Sequence, residues 1–471
     1  MKSFFLLLFL ATVHQVFAQT PRSSQTQGTV TIAGKPILYD ATVEEIILPM
    51  KGEPAGSLIM TSYIAQPGTA ERSLIFVFNG GPGASSSPLH MYSFGPVRLK
   101  RGQDSTRQIN NEHSLLDVAD LVFIDPVGTG FTQILNEEKA AAYWDVEGDA
   151  QVVIEAIKWW KEKHGRIKST TFICGESYGT VRAAKMMGIA EDFPVKGVLL
   201  FSPVLDYTLR SPVSGNEMPY ILQLPSMAAV AWYHHKTGPS IKSGEQAFDE
   251  ATAFANGDYL NALFQGNQLT QKQLDKVAAK LASLTGLSER TVKDKKLRIT
   301  TDDFEMLLLA DQQERIGKLD GTIKAPVPKE AKPYSARDDP SLKVNVVMER
   351  DFVGKYFTKV LKFPGTGLYR GVNFEVNGKW KWTSMDAYLG YYSVLPGLEK
   401  AMEANPQIRL LVAGGIYDLA TPLYSTRYLL NHSSIPANRT TFLEYPTGHS
   451  IFDNETELKK FADAVRKFVK E

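Results

Sequence analysis

Among 471 residues there is one cysteine, Cys174, so no intrachain disulfide can form and the fold has to hold through its core. Cys174 sits in an apolar run and reads as a buried strand residue rather than a reactive thiol. An excess of charge is also missing: 52 Lys and Arg against 51 Asp and Glu leave a formal +1. With no basic tract and no interleaved aromatic platform, that balance argues against nucleic acid or another polyanion as partner. Beyond the N-terminus no apolar run approaches the ~20 residues that a membrane-spanning helix needs. Internal repeats are absent, and no motif calls for a metal or a cofactor.

What is present is ordinary globular material, 43% hydrophobic and 22% charged. The opening "MKSFFLLLFLATVHQVFAQT" has Lys2, then an apolar run, then Val16 and Ala18 at the −3 and −1 positions of a cleavage site. It reads as a signal peptide over residues 1–18, which makes the mature chain exported: secreted or periplasmic, or held in an acidic organelle of a eukaryote. Three sequons, at Asn431, Asn438 and Asn454, would carry N-glycans only in a glycosylating host.

Short apolar runs rich in β-branched residues begin at Leu74, Leu121, Thr171, Gly197, Ile408 and Thr441, each bounded by Gly, Pro or Asp. Helical patterns such as "DAQVVIEAIKWWKEK" from Asp149 lie between many of them, which predicts an α/β fold with a mostly parallel, doubly wound sheet. Upstream, "GTVTIAGKPILYDATVEEIIL" and "GSLIMTSYIAQP" read as antiparallel strands that open the sheet. The stretch 207–343 breaks this rhythm. "QKQLDKVAAKLASLTG" has helical spacing and a Gly286 cap, and "TTDDFEMLLLADQQERIG" offers Thr301 as N-cap and Gly317 beyond its end. "APVPKEAKPYSARDDP" reads as a loop or strap. The expected organisation is a core over 28–206 and 344–471, interrupted by a mainly helical cap over 207–343.

Within "FICGESYGT", Gly175 and Gly179 flank Ser177 as in the G-x-S-x-G elbow, which exposes a serine hydroxyl on a strained strand-to-helix turn. A nucleophilic serine needs a base, and the base needs an orienting carboxylate. In α/β-hydrolase order both follow the serine. His449, in the loop "YPTGHS" after the last expected strand, takes the base role over His234, His235 and His432. Asp418, in "VAGGIYDLATP", follows the preceding strand and is the favoured acid, with Asp206 and Asp453 as rivals. The loop "FNGGPGASSS" lets backbone N–H groups approach a ligand closely. Its Gly81 pairs with Tyr178, the residue after the serine, as the two oxyanion donors. A phosphate-loop reading is weakened by Pro82 and the missing Gly-Lys-Ser/Thr ending.

Taken in order, "NGGPGASSS", "DPVGTGF", "GESYG", "GGIYDLATP" and the Gly448-His449 pair resemble the serine carboxypeptidase family across residues 79–449. The resemblance implies the α/β-hydrolase fold, Ser177, Asp418 and His449 as triad, and Gly81 and Tyr178 as oxyanion donors. It further implies that Asn79, the Gly80 N–H and Glu176 bind the C-terminal carboxylate of a peptide substrate. Two carboxylates side by side repel unless they share a proton, so this role predicts hydrolysis favoured at acidic pH. The chain departs from the family pattern at Val77 (often Trp), Ala84 (often Cys), Ser93 (often acidic) and Ser450 (usually Met), and in "GTVRAAK" after the elbow. Arg182 reads as a structural ion-pair partner. An esterase, an acyltransferase or an aminopeptidase on the same fold is the alternative, and a non-catalytic binding protein a more distant one.

Overall fold

The computed structural model describes residues 20–101, 106–328, 338–342, 352–382 and 392–471. The expected signal peptide, the middle of the expected strap and the boundary at residue 343 lie outside these. In chain order the strands are β1 (Ser23–Ile32), β2 (Lys35–Met50), β3 (Glu53–Ala65), β4 (Leu74–Phe78), β5 (Val97–Arg101), β6 (Thr106–Asn110) and β7 (Asp120–Asp125). They continue with β8 (Thr171–Glu176), β9 (Gly197–Phe201), β10 (Glu314–Ile316), β11 (Lys324–Pro326), β12 (Arg409–Gly415) and β13 (Thr440–Tyr445).

Nine of them form one sheet in the order β1-β2-β3-β7-β4-β8-β9-β12-β13. β1, β2 and β3 are antiparallel, and β3 pairs antiparallel with β7. From β7 to β13 every pairing is parallel. The six parallel strands coincide with the six apolar runs. All residues of β4, β7, β8 and β9 are buried, which explains why they read as continuous rather than alternating apolar stretches. Along β4, Phe76 and Phe78 join one core cluster while Ile75 and Val77 join the other, as the two-residue period of a strand requires. This architecture is the α/β-hydrolase fold, and parallel pairing sends the loops after β4, β8, β12 and β13 to one edge of the sheet. Cys174, in the middle of β8, is fully buried.

A third apolar cluster is built from helices such as Met218–Tyr233, Gly244–Phe254 and Gln271–Thr285. It includes Ile416, Tyr417 and Leu419 from the loop after β12, so the helical layer packs directly on that loop. Gly286 ends the helix Gln271–Thr285 at φ 71°, as its position predicted. Two local expectations need correction. The sheet starts at Ser23, five residues before the expected Gly28, because polar "SSQTQ" pairs residue for residue with β2 through to Glu44. The helix expected over 301–316 is capped by Thr300, through a capping box with Asp303, and stops at Leu307. Leu308 and Leu309 turn into the third cluster, the chain reverses at Gln313 (φ 57°), and residues 314–316 form β10, paired with β11. Helical spacing of leucines cannot distinguish that turn from another turn of helix.

Arg182 joins the pieces beneath the β8 turn. It is 1% exposed; its Nε donates to Asp149 Oδ2 at 2.7 Å and its Nη2 to Asp149 Oδ1 at 3.1 Å. Its Nη1 donates to the Asn79 carbonyl at 2.7 Å, and the guanidinium lies over the rings of Phe78 and Tyr178. Arg182→Met strands a buried Asp149 carboxylate. The fold should lose about 3–5 kcal/mol, read as a lowered urea midpoint; a midpoint within experimental error of the parent contradicts this role.

Candidate active site

β8 ends at Glu176, and the helix Tyr178–Ile189 starts two residues later. Ser177 joins them at φ 58° and ψ −130°, a region that costs a non-glycine residue about 1–3 kcal/mol. Its N–H donates to the Phe201 carbonyl at 2.9 Å, and its carbonyl accepts from Thr180 N (2.9 Å) and Thr180 Oγ1 (2.7 Å). The flanking glycines are sterically required. A Cβ on Gly175 would collide with the Gly179 carbonyl, and one on Gly179 would sit 2.9 Å from the Phe78 carbonyl.

The loops after β12 and β13 bring Asp418 and His449 together. His449 Nδ1 lies 2.7 Å from Asp418 Oδ2, and the Asp418 side chain is fully buried. Asp418 Oδ1 accepts from the amides of Ala420 (2.8 Å) and Thr421 (2.9 Å), and Oδ2 accepts from Thr421 Oγ1 at 2.5 Å. Thr421 Oγ1 is also 3.2 Å from His449 Nδ1. Thr421 was missed in the sequence, although its place three residues after the acid is where a side-chain-to-carboxylate bond closes a turn. Burial opposes charge on His449, but the Asp418 carboxylate outweighs it and raises the imidazole pKa above 6.5. Three of the other candidates, Asp206, His234 and His432, are engaged elsewhere. Asp206 accepts from Thr208 N at 2.7 Å, His234 Nε2 lies 2.7 Å from the Gly321 carbonyl, and exposed His432 meets the Tyr428 carbonyl.

A cavity of about 200 Å³ is lined by Asn79, Gly80, Gly81, Glu176, Ser177 and His449. Rival acid Asp453 lines it too, as do Leu319, Phe374 and Asn377, which sequence reading did not single out. A larger space of about 370 Å³ adjoins it across Leu319, His449, Ser450 and Asp453. Glu176 is 3% exposed, and its Oε2 accepts from the Asn79 side-chain amide. Burial pushes the Glu176 carboxyl up to about 8, with Asp453 and Asp418 adding to the rise and His449 opposing it. Asn79 is held at its other atoms: Oδ1 accepts from Leu89 N at 3.1 Å and its carbonyl from Arg182. Gly80 lies against the Tyr178 amide so closely that a Cβ there would collide with that nitrogen. The rest of the loop is pinned by Ser86, which donates N–H and Oγ to buried Asp125, and by Asn377, whose Nδ2 donates to the Pro82 carbonyl at 2.9 Å.

Residues 60–189 match the profile of the family described as serine carboxypeptidase. Over this segment the chain is similar to the serine carboxypeptidases. Serine carboxypeptidase ctsa-3.2 of Caenorhabditis elegans is 28% identical over 173 residues, covering 36% of this chain and 32% of the relative. Serine carboxypeptidase-like 16 of Arabidopsis thaliana is 30% identical over 154 residues, 29% of this chain and 34% of the relative. The matched segments thus span about a third of the length of these curated relatives. Kex1(delta)p, a prohormone-processing carboxypeptidase from Saccharomyces cerevisiae, is similar in structure over 90% of this chain and 91% of its own, with a TM-score of 0.55 at 14% identity. That likeness bears on the fold.

Of the departures from the serine carboxypeptidase pattern, Ala84 and Ser450 line the cavity, whereas Val77 and Ser93 are buried outside its lining. Among the described residues, no group of three or more His, Cys, Asp or Glu side chains is placed to hold a metal ion. None of the described helices is long and apolar enough to cross a membrane. Thr421→Val keeps the shape and removes one donor from Asp418, so the carboxylate should pull harder on the His449 proton. The imidazole pKa, followed by NMR, is expected to rise; an unchanged or lower value contradicts the shared hydrogen bond.

Proposed function

We propose that the chain is an exported serine-type carboxypeptidase, hydrolysing the last peptide bond of substrates with a free C-terminus. The observation that carries this reading is the buried Glu176–Asn79 pair in the same cavity as Ser177 and His449. A carboxyl pushed up to about 8 is protonated at neutral and acidic pH, and there it can donate a hydrogen bond to a substrate carboxylate. Asn79 and the Gly80 N–H complete that carboxylate site.

In this reading Ser177 Oγ gives its proton to His449 and adds to the scissile carbonyl carbon. Asp418 holds the imidazole by Nδ1 and stabilises its cation. The amides of Gly81 and Tyr178 receive the oxyanion, each contributing roughly 2.7–4 kcal/mol. The C–N bond then breaks, His449 protonates the departing amino group, and the C-terminal amino acid leaves. Water, deprotonated by His449, attacks the acyl-enzyme and restores Ser177. The stretch 207–343 acts as a cap, a role supported by Leu319 and Leu342 in the cavity lining. Residues 1–18 act as the export signal, with a secreted, periplasmic or acidic-organelle destination. Exposed Asn431, Asn438 and Asn454 would be glycan acceptors in a glycosylating host.

Two protonation states bound the activity. Neutral His449 is needed as base, so the rate rises as pH passes its raised pKa. Protonated Glu176 is needed for the carboxylate, so binding fails as pH rises through about 8. A blocked dipeptide acid should therefore be preferred over its amide at neutral and acidic pH, with the preference shrinking above about pH 8. Equal kcat/KM for acid and amide throughout would favour the esterase or acyltransferase alternative. Glu176→Gln should flatten the alkaline loss for the acid substrate. Ser177→Ala should abolish turnover, by roughly 10⁶-fold in kcat; full activity in that variant overturns the mechanism.

A further inference from the structure

The loops that carry Asp418 and His449 come from different strands and touch directly, with Ile416 N donating to the Tyr445 carbonyl and Tyr417 N to the Thr447 carbonyl, both at 2.9 Å. A piece of the cap ties each loop again, beside Asp418 and at His449 itself. The Lys318 carbonyl accepts from Leu419 N at 3.0 Å, immediately after Asp418, and the Leu319 carbonyl accepts from His449 N itself at 2.7 Å. Gly321 N returns a bond to the Tyr417 carbonyl at 3.0 Å, immediately before Asp418. Residues 318–321 are therefore laced to both loops by three backbone hydrogen bonds. Gly448 packs so tightly on this segment that a Cβ there would sit within 2.5 Å of Asp320. On its outer side the segment is held by Asp339, 1% exposed. Asp339 Oδ2 accepts from Lys318 N at 2.8 Å, and Oδ1 accepts from Ser341 N at 2.8 Å and from Ser341 Oγ. Ser341 Oγ in turn accepts from Asp320 N at 3.2 Å.

We propose that residues 318–321 are a strap that sets the acid and base loops in register, and that Asp339 is the positioning residue that anchors it. The inference rests on the triad reading above. Asp339 touches neither substrate nor reacting atoms; it fixes Lys318, whose carbonyl and whose neighbour Leu319 fix the backbone at Leu419 and His449. Loss of the anchor lets the imidazole drift from its reactive geometry without changing the carboxylate site at Asn79 and Glu176. Misplacement on the order of an ångström costs up to ~10²-fold in rate.

The experiment measures kcat, KM and the rate of Ser177 labelling by a fluorophosphonate in Asp339→Ala, Asp339→Asn and Ser341→Ala, with thermal melts of each. Asp339→Ala is expected to lower kcat and labelling together by roughly tenfold or more, with KM within about twofold of the parent. Asp339→Asn, which keeps an acceptor for Lys318 N, should recover most of that loss. Ser341→Ala should shift the same parameters in the same direction by less, and it decides the matter if Asp339→Ala does not fold. Parental kcat and labelling in folded variants overturn the strap, as does a loss in which KM rises in step with the fall in kcat. Ser177→Ala separates the two ideas: an active Ser177→Ala defeats the triad reading, whereas an inactive one beside a normal Asp339→Ala defeats the strap alone.

Discussion

The site depends on the close approach of the loop after β4 to the turn after β8. Gly80 lies against the Tyr178 amide, Gly179 lies against the Phe78 and Asn79 carbonyls, and Gly175 lies against the Gly179 carbonyl. No side chain fits at any of these points. Arg182 closes the contact from below, bonded at once to Asp149 and to the Asn79 carbonyl. Because the two backbones touch, Asn79 reaches Glu176, and Gly80 and Gly81 line the same cavity as Ser177. The strain at Ser177 is affordable only where buried neighbours over-determine the turn, as they do here.

The same cavity holds two groups with opposite proton requirements. Asp418 raises His449, while burial raises Glu176 to about 8. An ionised Glu176 would push His449 further towards its cation, so a protonated Glu176 also favours the free base. In the proposed mechanism, one proton on Glu176 therefore serves carboxylate binding and base function together. The Asp418–His449 pair is meanwhile satisfied at every Asp418 oxygen, by two amides and a hydroxyl, which leaves the imidazole one orientation.

Much of this was legible from residue order. The six parallel strands announce themselves because burial on both faces removes the polar alternation. Ser177, Asp418 and His449 each stand just past the end of such a strand, so strand ends and residue types together picked them out. Arg182 read as an ion-pair partner, and Asp149 is that partner. The start of β1 at Ser23 escaped notice because an edge strand of Ser, Gln and Thr carries no apolar signal. The break after Leu307 was hidden for the opposite reason: four apolar residues in a row suit a helix as well as a turn into a core. Phe374, Asn377 and Leu319 reach the cavity from distant segments, and no local pattern encodes a contact between residues nearly 300 positions apart, such as Asn377 with Pro82. Thr421 was within reach of sequence reasoning, since Asp-x-x-Thr can close a side-chain turn.

The central claim is that one proton on Glu176 allows a carboxylate to bind beside it. Calorimetric titration of a C-terminal-product carboxylate, in buffers of different ionisation enthalpy at about half a unit to one unit above the Glu176 value of about 8, measures that proton directly. The account predicts uptake approaching one proton per ligand bound, abolished in Glu176→Gln. Binding without proton uptake, or uptake unchanged in Glu176→Gln, would contradict it.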